Sequence, residues 1–154
     1  MKIGGAHIVF HKLLRTSKED KHYFVCAVLL GKRTLDAPMH PGYWGLFGGT
    51  VNRGEAPRDA ALREAREELG VKPSAMKFLC NVRVDHGKSN ASGVRYFSAI
   101  LDRDMDTLTL RRNSEDKKVE GEGIAWFSAE EIHHIMVRPA DRIAISTFFK
   151  KYGT

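Results

Sequence analysis

The sequence predicts a mixed-sheet domain of the α/β or α+β class, because strand-like apolar runs are interspersed with helical stretches. Residues 23–30, YFVCAVLL, form a continuous apolar run, which is typical of a strand buried on both faces. Residues 57–69 have helical spacing and lie between Pro57, which suits a first helical turn, and Gly70, which suits a helix end. A chain of 154 residues can bury a substantial core, so we expect one domain over residues 1–154.

The remaining elements are predicted from the same patterns. Further strands are expected at residues 5–15, 44–47, 76–84, 93–101 and 124–127. Connections of polar, proline or glycine residues are expected at 16–22, 34–43, 85–92 and 102–123. Ser128 with Glu131 three residues later predicts a capped helix start. A last amphipathic helix is expected from near Pro139, with an apolar face of Ile143, Ile145, Phe148 and Phe149.

Composition indicates an ordinary soluble protein. Hydrophobic residues make up 42% and charged residues 29% of the chain, and no apolar run approaches the roughly 18 residues of a membrane span. The first residues do not resemble a signal peptide. Cys26 and Cys80 are isolated within strand-like runs, which favours buried free thiols over a disulfide or a metal site. We therefore expect a cytoplasmic protein.

The chain is basic, with a net charge of +6 and a pI of about 9.4. This balance favours an anionic partner such as a nucleotide or RNA, although an unspecific basic surface explains it equally well. The lysines and arginines are scattered along the chain, without an arginine-rich arm. Nucleic acid is therefore the less favoured partner, and a membrane partner is not expected.

The region with the most specific chemistry is residues 49–71, GTVNRGEAPRDAALREAREELGV. On a helix, Glu64, Glu67 and Glu68 are spaced i, i+3 and i+4 and share one face. The like-charge pair Glu64–Glu68 alone costs roughly 0.2–0.5 kcal/mol. Carboxylates crowded next to a glycine turn indicate a site for a hard cation, because Mg²⁺ and Ca²⁺ prefer oxygen ligands.

The same residues fill every fixed position of the Nudix box, G-x5-E-x7-R-E-U-x-E-E-x-G-U, in which U is aliphatic. The chain therefore resembles the Nudix hydrolase family. The resemblance implies a mixed β-sheet sandwiched between α-helices. It also implies hydrolysis of a nucleoside diphosphate linked to a group X, with Mg²⁺ as the cofactor and Mn²⁺ as a substitute. Clustered carboxylates can hold such ions while leaving positions for water and substrate.

The resemblance also implies roles for individual residues. Glu64, Glu67, Glu68 and the carbonyl oxygen of Gly49 correspond to metal ligands, and Arg63 with Glu55 to a supporting ion pair. The general base of the family is either a box glutamate or an acid on a distant loop. Within the box, the candidates are Glu67 and Glu64, with Arg63 beside them. On a distant loop, the candidates are Glu120 and Glu122.

Substrate selection is expected from residues outside the box. Arg33 and Arg95 could contact phosphates, and Tyr43 and Trp44 could stack on a base, although such residues are more often surface charges and core aromatics. Many family members have proline before the two glycines, whereas this chain has Phe47. That departure bears on the branch of the family rather than on its chemistry.

The leading hypothesis is hydrolysis of a nucleoside triphosphate to monophosphate and pyrophosphate. The alternatives are a nucleotide-sugar hydrolase of the GDP-mannose type, an RNA 5′-end pyrophosphohydrolase, and a nucleotide-sensing module without turnover. Only the basic surface supports the RNA hypothesis, which predicts strongly salt-dependent binding. Homodimers are common in the family, but no residue here predicts an interface.

Overall fold

The computed structural model describes residues 1–87, 91–103 and 123–153, and these residues build one mixed β-sheet with helices on both faces. The strands are β1 Ile3–Lys18, β2 Lys21–Lys32, β3 Trp44–Gly45, β4 Phe47–Thr50, β5 Lys77–Asp85, β6 Ala91–Ile100 and β7 Gly123–Ser128. The helices are α1 Pro57–Leu69, α2 Ala129–Ile132 and α3 Pro139–Tyr152. None of the described helices is long and apolar enough to cross a membrane.

Strand β1 organises the sheet. It runs parallel to β6, whose other neighbour is the antiparallel strand β5. Residues 5–8 of β1 pair with β4, and residues 11–18 pair with β2. The C-terminal part of β2, residues 27–32, pairs with β7, and residues 31–32 also pair with β3. This arrangement places β4, which contains Gly48 and Gly49, directly beside the start of β1.

The two faces of the sheet carry separate apolar cores. On one face α1 packs its small residues against the strands, and that core includes Ala6, Ile8, Phe10, Leu29, Phe47, Ala61, Ala65, Leu69 and Phe97. On the other face α3 packs against Val9, Val28, Leu30, Leu46, Leu79, Val82, Tyr96 and Phe127. Alternate residues of β1 and β2 point to opposite cores, as strand geometry requires. The predicted sheet between helices is confirmed.

The polar turn predicted at residues 16–22 is present but shorter than predicted. The turn is limited to Glu19 and Asp20, whose φ angles are 53° and 62°, and Lys18 lies opposite Lys21. Two residues with positive φ form the hairpin turn that matches the twist of the strands. The polar side chains on both sides of this turn belong to β1 and β2, because backbone pairing continues where the side chains are exposed.

Two burial predictions were also wrong in part. The run 23–30 is buried from Ala27 to Leu30, but Tyr23 and Phe24 are exposed, because this end of β2 pairs with β1 and lies outside both cores. In α3, Ile143 is 54% exposed, since the buried face consists of Asp141, Ala144, Ile145, Phe148 and Phe149.

Several local predictions are confirmed. Helix α1 ends at Gly70 in the left-handed conformation with φ of 68°, and Val71 is buried beyond it. Ser128 and Glu131 form a reciprocal capping box at α2. The two cysteines are free, as predicted, but they are half-buried rather than buried. Most of the predicted connection 102–123 lies outside the described residues.

Candidate active site

The turn between β4 and α1 depends on glycine at two positions. A Cβ at position 48 would lie 2.5 Å from the Cα of His7, because β4 approaches β1 closely there. A Cβ at position 49 would lie 2.5 Å from the carboxyl carbon of Glu64. Gly48 therefore permits the strand pairing, whereas Gly49 leaves the space that the Glu64 carboxylate occupies.

Helix α1 directs its glutamates toward this turn to different degrees. The Glu64 side chain is 16% exposed and lies against Gly49. The Gly48 N–H donates a hydrogen bond of 3.2 Å to Oε1 of Glu68. Glu67 is 56% exposed and lies 3.4 Å from Arg63, one helical turn away. Two of the three carboxylates thus adjoin the backbone of the turn.

Arg63 links these carboxylates to the loop before α1. Its Nε and Nη2 donate to the two oxygens of Glu55, each at 3.0 Å, and Nη2 also donates to the Thr50 carbonyl oxygen at 2.9 Å. Its Nη1 donates to Oε1 of Glu64 at 2.9 Å. The hydrogen bonds from Arg63 and from the Asn52 N–H lower the pKa of Glu55, and those to Glu55 and Glu64 raise the pKa of Arg63. Both groups are therefore charged at neutral pH.

The donor set fits a hard divalent cation. Its oxygens come from Glu64, Glu67 and Glu68, and position 49 has no side chain in front of the Glu64 carboxylate. Across the described residues, no three His, Cys, Asp or Glu side chains converge on a common metal position. Glu67 is turned toward Arg63, with 3.4 Å between Arg63 Nη1 and Glu67 Oε2. A half-exposed pair of this kind is worth less than about 1 kcal/mol, so a bound cation can displace it.

A second network lies on the α3 face of the sheet. Asp141 is 2% exposed and accepts hydrogen bonds from Tyr96 Oη at 2.7 Å, from the Leu46 N–H at 3.0 Å and from Arg138 Nε at 2.8 Å. Arg138 also donates to the Leu46 carbonyl oxygen at 2.7 Å. Burial and the adjacent Asp141 charge raise the pKa of Tyr96. These contacts join α3 to the residues just before Gly48.

Beside this network is a cavity of about 380 Å³. Its lining includes His7, Tyr96, Arg138 and Asp141. The His7 ring centroid lies 5.6 Å from that of Tyr96, and burial lowers the pKa of His7. Sequence reasoning missed both His7 and Asp141. The only sequence signals were that His7 lies within an apolar strand and that Asp141 is a carboxylate in the first turn of the last helix.

The predicted substrate-binding residues do not converge on this cavity. Arg33 donates from Nε to the Met39 carbonyl oxygen at 2.8 Å within the loop before β3. Trp44 packs edge-on against Phe127 at 4.9 Å. Tyr43 lies beside His40, with ring centroids 5.4 Å apart.

Three other predicted residues lie elsewhere. Arg95 lies on β6 and donates to Asn81 Oδ1 at 3.0 Å. Glu120 and Glu122, the distant candidates for the general base, lie outside the described residues. The described site therefore contains the box glutamates and Arg63, and the cavity adds residues that were not predicted.

Comparison with known families bears directly on the box and its surroundings. The family model described as NUDIX domain matches residues 13–148, which is most of the chain. The chain belongs to the Nudix hydrolase family. As a Nudix hydrolase it acts on phosphoric anhydride bonds, and hydrolases of this family generally use divalent metals and small nucleotide substrates.

Relatives and solved structures agree with this assignment. The nucleoside triphosphatase NudI of Enterobacter sp. (strain 638) is 32% identical over 127 residues, covering 78% of this chain and 86% of the relative. The putative 8-oxo-dGTP diphosphatase 2 of Mycobacterium tuberculosis (strain H37Rv) is 29% identical over 117 residues, covering 76% and 75%. The MutT protein from Methanosarcina mazei Go1 superposes with a TM-score of 0.70 at 19% identity, covering 99% and 96%, and supports the fold.

Proposed function

We propose that this chain hydrolyses nucleoside triphosphates to nucleoside monophosphates and pyrophosphate, with Mg²⁺ as the cofactor. The observation that carries the proposal is the packing of the Glu64 carboxylate against Gly49 with Glu68 at the Gly48 N–H. The names of the two relatives, a nucleoside triphosphatase and an 8-oxo-dGTP diphosphatase, support a triphosphate over a nucleotide sugar or an RNA end.

Glu64, Glu67 and Glu68, with the carbonyl oxygen of Gly49, would hold the cation. The cation would neutralise phosphate charge and lower the pKa of a bound water. Arg63 acts as a positioning residue, because its guanidinium fixes the loop through Glu55 and reduces repulsion between the glutamates.

The reaction consumes one water molecule. Its oxygen forms a new bond to phosphorus while the α–β anhydride bond breaks, and a carboxylate must accept the proton that the water loses. Glu67 is the most exposed of the described candidates for this role, with a side chain 56% exposed. Glu64 is the second box candidate, and Glu120 and Glu122 are the candidates on the distant loop.

The test is hydrolysis of a nucleotide panel in Mg²⁺, with products resolved by ³¹P NMR. The panel contains the ordinary triphosphates, 8-oxo-dGTP, GDP-mannose and a 5′-triphosphorylated RNA. We expect monophosphate and pyrophosphate from a free triphosphate, and at least a 100-fold loss of kcat in Glu68→Gln. The matched control is Glu130→Gln, which changes an exposed glutamate of α2 and should keep full activity.

Four results would contradict the proposal. Full activity in excess chelator or in Glu68→Gln would reject the metal site. Nucleoside diphosphate and phosphate as products would reject cleavage at the α–β bond. Faster turnover of GDP-mannose or RNA than of every free triphosphate would reject the substrate class, and binding of nucleotides without turnover would indicate a sensing module.

A further inference from the structure

The hairpin of β1 and β2 projects beyond the rest of the sheet. Pairing of β1 with β6 ends at His11, and pairing of β2 with β7 begins at Ala27. In the part of the chain that the structure describes, residues 13–18 and 21–26 pair only with each other. A two-stranded hairpin without further packing is marginally stable in water. A strand added to one edge of this projecting hairpin would therefore stabilise it.

The outer edge of β2 in this hairpin is apolar and regular. Tyr23 is 44% exposed and Phe24 is 66% exposed, and no residue between 23 and 26 is charged. The pairing with β1 continues from Val28 to Lys21 without a bulge. An exposed, uncharged and regular strand edge is a template for pairing with another chain.

Two other open edges of the sheet carry the features that prevent such pairing. Strand β5 has a register shift after Phe78, and Arg83 and Asp85 are exposed along it. The outer edge of β1 in the projecting hairpin carries Arg15 and Lys18, which are also exposed. Charged residues and bulges protect strand edges from association, so the edge of β2 is better suited to a partner strand.

A cavity of about 740 Å³ lies between the open edge of β2 and helix α2. Its lining includes apolar residues on the hairpin side and acidic residues on the helix side: Leu14, Tyr23, Val25, Glu130 and Glu131. Strand β7 occupies the same edge of β2 only as far as Ser128, opposite Ala27, where the chain turns into α2. The cavity therefore continues the line of β7, which is the position of an added strand.

The charges at the two ends of this cavity are complementary in a pair of identical chains. Lys18 and Lys21 lie opposite each other at the tip of the hairpin, where like charges repel. A second β2 that pairs antiparallel with the first brings its own hairpin tip toward α2. Glu130 of α2 is exposed there, so it can attract the lysines of the partner.

We propose that two copies of this chain form a two-fold dimer in which residues 22–26 of the two β2 strands pair antiparallel, centred near Phe24. Each hairpin tip then lies against α2 of the other copy. A two-fold axis perpendicular to the sheet keeps its faces continuous, so the two Phe24 side chains lie side by side. The inference is independent of the proposed function, because residues 49–71 are not part of this interface.

The first test is sedimentation equilibrium of the whole chain over a series of micromolar concentrations. Wild type should have about twice the chain mass of 17.3 kDa. Phe24→Lys places a charge on the pairing edge and should raise the dimer dissociation constant at least 100-fold. The matched control is Phe78→Lys, which changes a 53% exposed phenylalanine on β5 and should leave the dissociation constant unchanged.

The second test exchanges the complementary charges. Lys21→Glu and Glu130→Lys should each raise the dissociation constant at least tenfold, because each places like charges at both contacts. An equal mixture of the two variants should form dimers with a dissociation constant within threefold of wild type, since both contacts of the mixed dimer again join opposite charges. A structural defect in either variant would not be repaired by mixing.

A third test uses wild type alone. Hydrogen exchange of the amides in residues 22–26 should be slower at high than at low protein concentration, because pairing between copies protects them. The amides of β5 should exchange at the same rate at both concentrations.

The inference is overturned by a wild type that remains monomeric, by assembly beyond two copies, or by equal dissociation constants for Phe24→Lys and Phe78→Lys. It is also overturned if the mixture of charge variants dimerises no better than each alone, or if exchange in residues 22–26 does not depend on concentration. Hydrolysis of triphosphates by a monomeric wild type rejects this inference alone. A dimer without hydrolysis rejects the proposed function alone.

Discussion

The Arg63 network and the Arg138 network lie on opposite faces of the sheet. They hold the two ends of the segment 46–55, through Glu55 and Leu46 respectively. They differ in the burial of their carboxylates, whereas the two arginines are similarly exposed, at 28% and 22%. The Arg63 side chain is 28% exposed and its carboxylate partners are 16% to 56% exposed. In the other network the Asp141 side chain is only 4% exposed.

This difference in burial separates the residues that can take part in chemistry from the residues that support the fold. Glu67, whose side chain is 56% exposed, can exchange its contact with Arg63 for a contact with a cation, because an exposed ion pair is worth little. A buried carboxylate with hydrogen bonds to three residues cannot be exchanged without a large cost. The Arg63 side of the molecule is therefore suited to binding and turnover, and the Arg138 side to fixing the residues before Gly48.

The largest effect is expected from Asp141→Ala. The change leaves Arg138, the Tyr96 hydroxyl and the Leu46 N–H without their shared acceptor. The free energy of unfolding should fall by about 3–5 kcal/mol, measured by urea denaturation. The matched control is Asp85→Ala, in a pair whose side chains are 67% and 71% exposed, and it should lose less than about 1 kcal/mol. Equal losses would contradict the difference in burial.

The next effect distinguishes the two glycines of the turn. Gly49→Ala should keep the fold, because the carboxylate of Glu64 can move away, but it should lower kcat/KM at least 100-fold, or about 2.7 kcal/mol in activation free energy. Gly48→Ala should instead lower thermal stability, since its Cβ meets the backbone of His7. Thermal unfolding and initial rates of both variants test this. An active Gly49→Ala variant would contradict the placement of Glu64.

A pH effect is expected from His7, which lies between the two networks and interacts with both Asp141 and Glu64. Burial lowers its pKa from the ordinary value of 6.5, so the unfolded chain binds the proton first as the pH falls. Stability is therefore full above pH 6.5 and declines below it, by up to about 1.4 kcal/mol per pH unit. His7→Asn should show a shallower decline in urea titrations from pH 7.5 to 5. Parallel curves would contradict the lowered pKa of His7.

The smallest effect on stability is expected from Arg63→Lys. The lysine keeps the charge but loses the two parallel hydrogen bonds to Glu55, and the site is partly exposed. The free energy of unfolding should fall by less than about 1 kcal/mol, while kcat should fall more than KM changes. A loss as large as that of Asp141→Ala would place Arg63 among the structural residues.

The same comparison explains how much the sequence could predict. The Nudix-box turn and α1 were predictable because residues 49–71 are contiguous in the chain. The conformation of this segment follows from its own residues rather than from distant contacts. His7 and Asp141 were not, because their environment arises from β1, β4, β6 and α3, which are far apart in the chain. Ile143 was misplaced for a related reason, since Asp141 rather than Ile143 lies on the buried side of α3.

The most direct test of the separation between the two sides is a Mn²⁺ titration followed by electron paramagnetic resonance. It compares wild type, Glu64→Gln and His7→Leu, with Mn²⁺ standing in for Mg²⁺. We predict that Glu64→Gln raises the dissociation constant for Mn²⁺ at least tenfold and that His7→Leu leaves this constant unchanged. Unchanged affinity in Glu64→Gln, or an equal loss in His7→Leu, would contradict the account.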